Sequence, residues 1–285
     1  MCDKDHFAED VAEYEARGLV TRRQFGVILA AGAVMALPQL ANAQATGERD
    51  VEIKTPDGTC DAYFVHPSSG AAAAVLIWPD IFGLRPAMRT MAKRLAGSGY
   101  SVLVVNPFYR VGKPTATGAT PIKEMMAFRK GMSAATDMTD AKTFVAWLDA
   151  QPQVNKNRKV GVQGYCMGGP MSFHTAAAMP DRIGAVGSFH GGGLVNDAAG
   201  PNSPHLLAAA TKASFLIAIA ENDDKTRPND KTVLKEAFEA AKRPAEIEVY
   251  PAAHGWCPPD SQVYNEPQAE KAWSRLLALY SKALA

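Results

Sequence analysis

The sequence predicts an α/β fold, a mostly parallel central sheet with helices on both faces. Short, continuously apolar runs recur along the chain, and amphipathic or Ala-rich helical stretches separate them. Size points the same way. The chain has 285 residues, 47% hydrophobic and 21% charged, enough for one large domain with a full core. No repeat or linker divides it after the first fifty residues.

Those first residues read differently. Thr21-Arg22-Arg23-Gln24-Phe25 precedes an apolar, Ala-rich stretch over 26–37, followed by Ala41-Asn42-Ala43. A basic region, a short apolar core and an A-x-A site predict a cleaved export signal over 1–43, with 44–285 as the folded domain. The apolar stretch is shorter than the roughly 20 residues that span a bilayer. Paired arginines ahead of a phenylalanine resemble a twin-arginine signal. That resemblance implies the twin-arginine export machinery as a partner of the precursor, and a periplasmic or secreted location.

The elements of the domain follow in order. Residues 50–55 and 60–66 flank a Pro56-Asp57-Gly58 turn and predict an antiparallel hairpin at a sheet edge. The run 73–79 is apolar throughout, as in a strand covered on both faces. Over 85–100, Met88, Met91, Ala92 and Leu95 share one helical face, closed by Gly97 and Gly99. Another buried strand spans 101–106, and the Pro-, Gly- and Thr-rich stretch 110–121 reads as a lid-like loop. A helix carrying Phe144, Trp147 and Leu148 leads into a strand ending at Gly164. Strands over 183–190, 213–220 and 245–251, a helix near 230–242 and a terminal helix over 268–284 complete the alternation.

Chemistry concentrates at Gly164-Tyr165-Cys166-Met167-Gly168, where a buried strand stops and an Ala-rich helix opens. That is the setting of a nucleophile elbow, with cysteine where serine commonly stands. Glycines two before and two after permit close contact around a strained backbone. The helix N-terminus behind Cys166 favours a thiolate. The same glycines could serve only to pack a helix closely on a strand, so companions must decide. In an elbow enzyme the acid and then the base follow later strand ends. Asp223 and Asp224 follow the 213–220 strand, and His254 follows the 245–251 strand. Their order and placement favour a Cys-His-Asp triad.

Over most of 50–283 the sequence resembles the dienelactone hydrolase family of α/β-hydrolases. The marks are GYCMGG at the elbow, IWPDIFGLRPAMR after the 73–79 strand, NPFYR after the next, AENDD and AAHGW. The resemblance implies an α/β-hydrolase fold, no cofactor, and a small-molecule lactone or activated ester as substrate. It implies Cys166 as nucleophile, His254 as base, and the backbone N–H groups of Ile81 and Met167 as oxyanion donors. Asp223 fits the family's offset from the strand end and Asp224 its offset before Pro228; the strand constrains more tightly and favours Asp223. Two departures matter. The family's founding pattern is Gln-Glu-Ile-Phe-Gly with the Glu beside the nucleophile, whereas this chain has Pro79-Asp80. Asp80 is a candidate carboxylate beside the nucleophile, or else a cap for its own loop. Members that open dienelactones carry an Arg shortly after the His, and none follows His254 nearby. Arg89 and Arg110 lie near the expected cleft or are surface cations, Phe82, Tyr109 and Trp256 are cleft walls or core, and His190 is a substrate contact or a structural group.

Other function classes fare worse. A net charge of +1 without Lys/Arg runs gives no electrostatic footprint for nucleic acid. Cys257 stands three after His254, but Pro258-Pro259 oppose a helix there and no second cluster has zinc-like spacing, so no metal is expected. Loss of Cys2 with the signal leaves Cys60, Cys166 and Cys257, an odd number, and hence at least one free thiol. The alternatives are a general carboxylesterase or thioesterase on the same fold, an exported binding protein, and a redox pair of Cys166 and Cys257. A monomer or small homo-oligomer is expected.

Overall fold

The computed structural model describes residues 36–38, 43–112 and 122–285. Nearly all of the expected signal over 1–43, and residues 113–121 of the expected loop, lie outside them.

Eight strands form one sheet in the order β1-β2-β4-β3-β5-β6-β7-β8. β1 (Thr46–Thr55) and β2 (Gly58–Pro67) make the antiparallel edge hairpin, and β2 also runs antiparallel to β4 (Tyr100–Val105). The remaining pairings are parallel, through β3 (Ala73–Trp78), β5 (Val160–Tyr165), β6 (Ile183–Phe189), β7 (Ser214–Ala220) and β8 (Ala245–Tyr250). β3, β4 and β5 are buried at every residue, which is why their sequences run apolar without alternation.

Helices cover both faces and give the sheet two cores. On one side lie α1 (Pro86–Gly97) and α7 (Glu266–Ala283). The four residues expected to share one face of α1, Met88, Met91, Ala92 and Leu95, are all buried. Leu37 packs against this core, with Tyr165, Phe189, Tyr250, Trp256 and Tyr280. On the other side lie α3 (Ala134–Asp149), α4 (Gly168–Ala178) and α6 (Asp230–Ala240), around Trp78, Phe144, Phe173, Phe215 and Phe238. A capping box of Ser133 and Thr136 starts α3. Elements absent from the sequence reading are short: α2 (Ile122–Phe128), α5 (Glu221–Thr226), and 3-10 turns at Arg129–Gly131, Asp197–Asn202 and Pro204–Ala210.

The parallel strands point their C-terminal ends to one edge. β5, β7 and β8 deliver Cys166, Asp223 and His254 to it, and the strand order reverses beside β5, where α/β sheets commonly open a crevice.

Candidate active site

Cys166 takes a positive φ of 50°, a conformation that costs an L-residue roughly 1–2 kcal/mol. Surrounding contacts fix it there. The Cys166 N–H donates to Phe189 O at 3.0 Å, and Gly169 N–H donates to Cys166 O at 3.0 Å. The flanking glycines let three backbone segments meet. A Cβ on Gly164 would lie 1.9 Å from Gly168 O, and one on Gly168 would lie 2.3 Å from Trp78 O. The start of α4 thus presses against the end of β3, bringing Met167 close to the loop that holds Ile81. Cys166 is partly exposed and stands at the N-terminus of an 11-residue helix, whose dipole favours a thiolate.

His254 and Asp223 meet across the next strand ends. His254 Nδ1 is 2.8 Å from Asp223 Oδ2 and 3.0 Å from Oδ1, and both side chains are about nine-tenths buried. The His254 N–H donates to Asn222 Oδ1 at 2.8 Å, and Glu221 N–H donates to Ala252 O at 3.0 Å, so the two loops are tied together. Asp224 turns away and pairs with Lys231 at 2.8 Å. With Nδ1 engaged by a carboxylate, Nε2 of His254 is left as the nitrogen for proton transfer.

His190 also has a positive φ, 41°, at the end of β6. Its ring is 1% exposed and lies edge-on to both His254 and Trp256, with centroids 5.0 Å apart in each case. Burial, and then the neighbouring His254, push its pKa well below the ordinary histidine value, so it packs as a neutral ring. Trp256 is fully buried and stacked on Tyr250, a core position and not a cleft wall.

Asp80 sits in a charge cluster invisible in the sequence. Its Oδ1 accepts from Phe82 N–H at 3.0 Å and from Arg85 Nη1 at 2.7 Å, and its Oδ2 accepts from Arg85 Nη2 at 2.9 Å. Arg85 also donates to Asp260 through Nε at 2.6 Å and Nη2 at 2.9 Å. One buried guanidinium therefore clamps the loop bearing Ile81 to the loop six residues beyond His254. Burial pushes the Asp80 carboxyl up against the pull of Arg85. Burial alone would lower Arg85, but its two carboxylates hold it above its ordinary value. Removing the shared cation strands buried Asp80 and partly buried Asp260, so Arg85→Met is expected to cost about 3–5 kcal/mol in a urea melt. A loss below about 1 kcal/mol would show that the clamp contributes little.

The other arginines considered from sequence are also engaged. Arg110 holds both oxygens of buried Asp140 at 2.7 Å and Asp57 at 2.6 Å. Arg89 pairs with Asp50 at 2.5 Å and lies over the Tyr63 ring, at the hairpin. Tyr109 donates to Asp140 at 2.7 Å. Cys166 packs against the α3/α4 core and Cys257 lies in the opposite one, where burial holds its thiol well above the ordinary value. That separation disfavours their pairing. Among the described residues no cluster of three or more His, Cys, Asp or Glu is placed to hold a metal, and no helix is long and apolar enough to cross a membrane.

A mixed eight-stranded sheet with a cysteine elbow and a His–Asp pair at later strand ends is the architecture of an α/β-hydrolase. The chain matches the dienelactone hydrolase family over residues 60–284 and belongs to that family of hydrolases. It is 28% identical over 237 residues to a carboxymethylenebutenolidase of Rhodococcus opacus, covering 81% of this chain and 90% of that one. A carboxymethylenebutenolidase of Cupriavidus pinatubonensis is 24% identical over 226 residues, covering 78% and 91%. In fold, it resembles a dienelactone hydrolase-like promiscuous phosphotriesterase from metagenomic libraries. The TM-score is 0.69 at 22% identity, over 85% of this chain and all of that one.

Proposed function

We propose that this hydrolase opens lactones or cleaves activated carboxylic esters through Cys166, His254 and Asp223, by way of a thioester. The observation that carries this reading is the 2.8 Å contact of His254 Nδ1 with Asp223, at the same sheet edge as the strained Cys166. His254 Nε2 takes the proton from Cys166 Sγ, and the thiolate adds to the substrate carbonyl carbon. The carbonyl oxygen gains the charge, and the N–H groups of Ile81 and Met167 receive it. Collapse breaks the ester C–O bond, and the departing oxygen takes the proton from His254. Water then gives a proton to His254 as it attacks the thioester, and the acid leaves with Cys166 restored. Asp223 keeps the imidazole oriented and stabilises its cationic form. A thiolate leaves more readily than an amide nitrogen, so activated esters and lactones suit this nucleophile better than peptides.

A panel of lactones, aryl esters and thioesters, run beside Cys166→Ala, tests the reading. Turnover of any of them that survives the substitution would contradict it.

Export belongs to the same proposal, on the strength of Arg22-Arg23 and Ala41-Asn42-Ala43. The exported protein is expected to begin near Gln44, and Arg22→Lys with Arg23→Lys is expected to stop export. N-terminal sequencing that finds Met1 in the exported fraction would refute it.

A further inference from the structure

Beside the elbow lies a cleft of about 330 Å³, within the range that small-molecule ligands fill. One face of α4 supplies Met167, Pro170, Met171 and His174 at helical spacing, and Met126 and Met132 face them. Met167 is the residue after Cys166, so the cleft begins at a candidate oxyanion donor. Met126, Met132 and Cys166 are partly buried against the same core cluster. Unbranched thioether side chains adapt to apolar groups of irregular shape.

Two of the described arginines outside the cleft lining are matched by carboxylates. Arg85 faces Asp80 and Asp260, and Arg110 faces Asp57 and Asp140. Among the described lining residues Arg129 is the one lysine or arginine; it acts on Asp137, which also hydrogen-bonds His174 Nδ1 at 2.8 Å. Among the described residues, a substrate carboxylate entering here would lose water and stand beside the Asp137 carboxylate, an unfavourable exchange.

We infer that this cleft is the subsite for the acyl portion of the substrate, and that this portion is apolar and uncharged. The inference rests on the hydrolase reading given above. The acyl side is assigned because His254 must protonate the leaving group, which therefore lies toward the β8 loop, and no residue of 252–257 lines the cleft.

The test compares kcat/KM of the wild-type protein for 4-nitrophenyl acetate, 4-nitrophenyl hexanoate and the mono-4-nitrophenyl ester of adipic acid. The last has the same six-carbon acyl chain with a terminal carboxylate. Hexanoate is expected to exceed acetate by about tenfold or more, since each buried methylene is worth up to roughly fourfold. It is expected to exceed the adipate half-ester by about 100-fold. Met132→Lys, which places a cation on the partly exposed wall, is expected to narrow that second ratio by about tenfold. Equal rates for the three esters, a preference for the half-ester, or a ratio unmoved by Met132→Lys would overturn the inference. Its failure is distinct from failure of the hydrolase reading. Hydrolysis that depends on Cys166 but favours the anion defeats only the subsite, whereas hydrolysis that persists in Cys166→Ala defeats the reading beneath it.

Discussion

Cys166→Ala is expected to lower kcat/KM for activated esters by about 10⁴-fold or more while leaving the fold intact, because removing a nucleophile from a coupled triad costs nearly all that the triad contributes. The fold should survive because the thiol is partly exposed, and because alanine has the same Cβ penalty at φ 50° that cysteine already carries. That penalty can be measured separately. Cys166→Gly is expected to be about 1 kcal/mol more stable than Cys166→Ala, since glycine adopts positive φ without strain. Cys166→Ser is expected to retain only weak activity, because a hydroxyl at this corner stays protonated where a thiol starts near pKa 8.5. Urea melts and steady-state rates on the same preparations separate the two effects. An alanine variant that keeps its activity would return the corner to a packing role.

Asp223→Asn is expected to reduce turnover by roughly 10⁴-fold, the loss seen when a triad aspartate becomes an amide. The amide still reaches Nδ1, but it no longer fixes the tautomer with the proton on Nδ1, and it cannot stabilise the imidazolium. Asp224→Asn is expected to change the rate by less than about threefold, because that carboxylate pairs with partly exposed Lys231 and such ion pairs contribute little. The measurement is kcat for the two variants side by side. A larger loss for Asp224 would mean that the loop register, not the 2.8 Å contact of Asp223 with His254, sets the acid.

Much of this arrangement could be read in advance because it is local. An apolar run ending in Gly-x-Cys-x-Gly announces both the strand and the turn, since no other residue fits where Gly164 and Gly168 touch backbone. Strand ends likewise limited the candidate acid and base to short windows holding Asp223, Asp224 and His254. What escaped depends on groups far apart in sequence. Arg85 and Asp260 are 175 positions apart, and Asp137 and His174 are 37 apart. Neither pair has a spacing rule that would reveal it. Arg85 looked like one residue of a helix entry, yet it is the buried cation joining the loops of Ile81 and His254. Arg110 is instructive in the opposite sense: from sequence it is a cation near the expected cleft or on the surface, and two carboxylates hold it. Charge compensation is a tertiary property, which residue types alone do not disclose.

The central claim is that Cys166 carries the acyl group during turnover. Rapid quenching in acid during hydrolysis of a 4-nitrophenyl ester, followed by intact-mass measurement and peptide mapping, tests it most directly. The account predicts one acyl addition, on the peptide containing Cys166, removable by neutral hydroxylamine as a thioester should be, and absent from Cys166→Ala. An acyl group found instead on a serine or on another cysteine, with hydrolysis proceeding at the same rate, would contradict it.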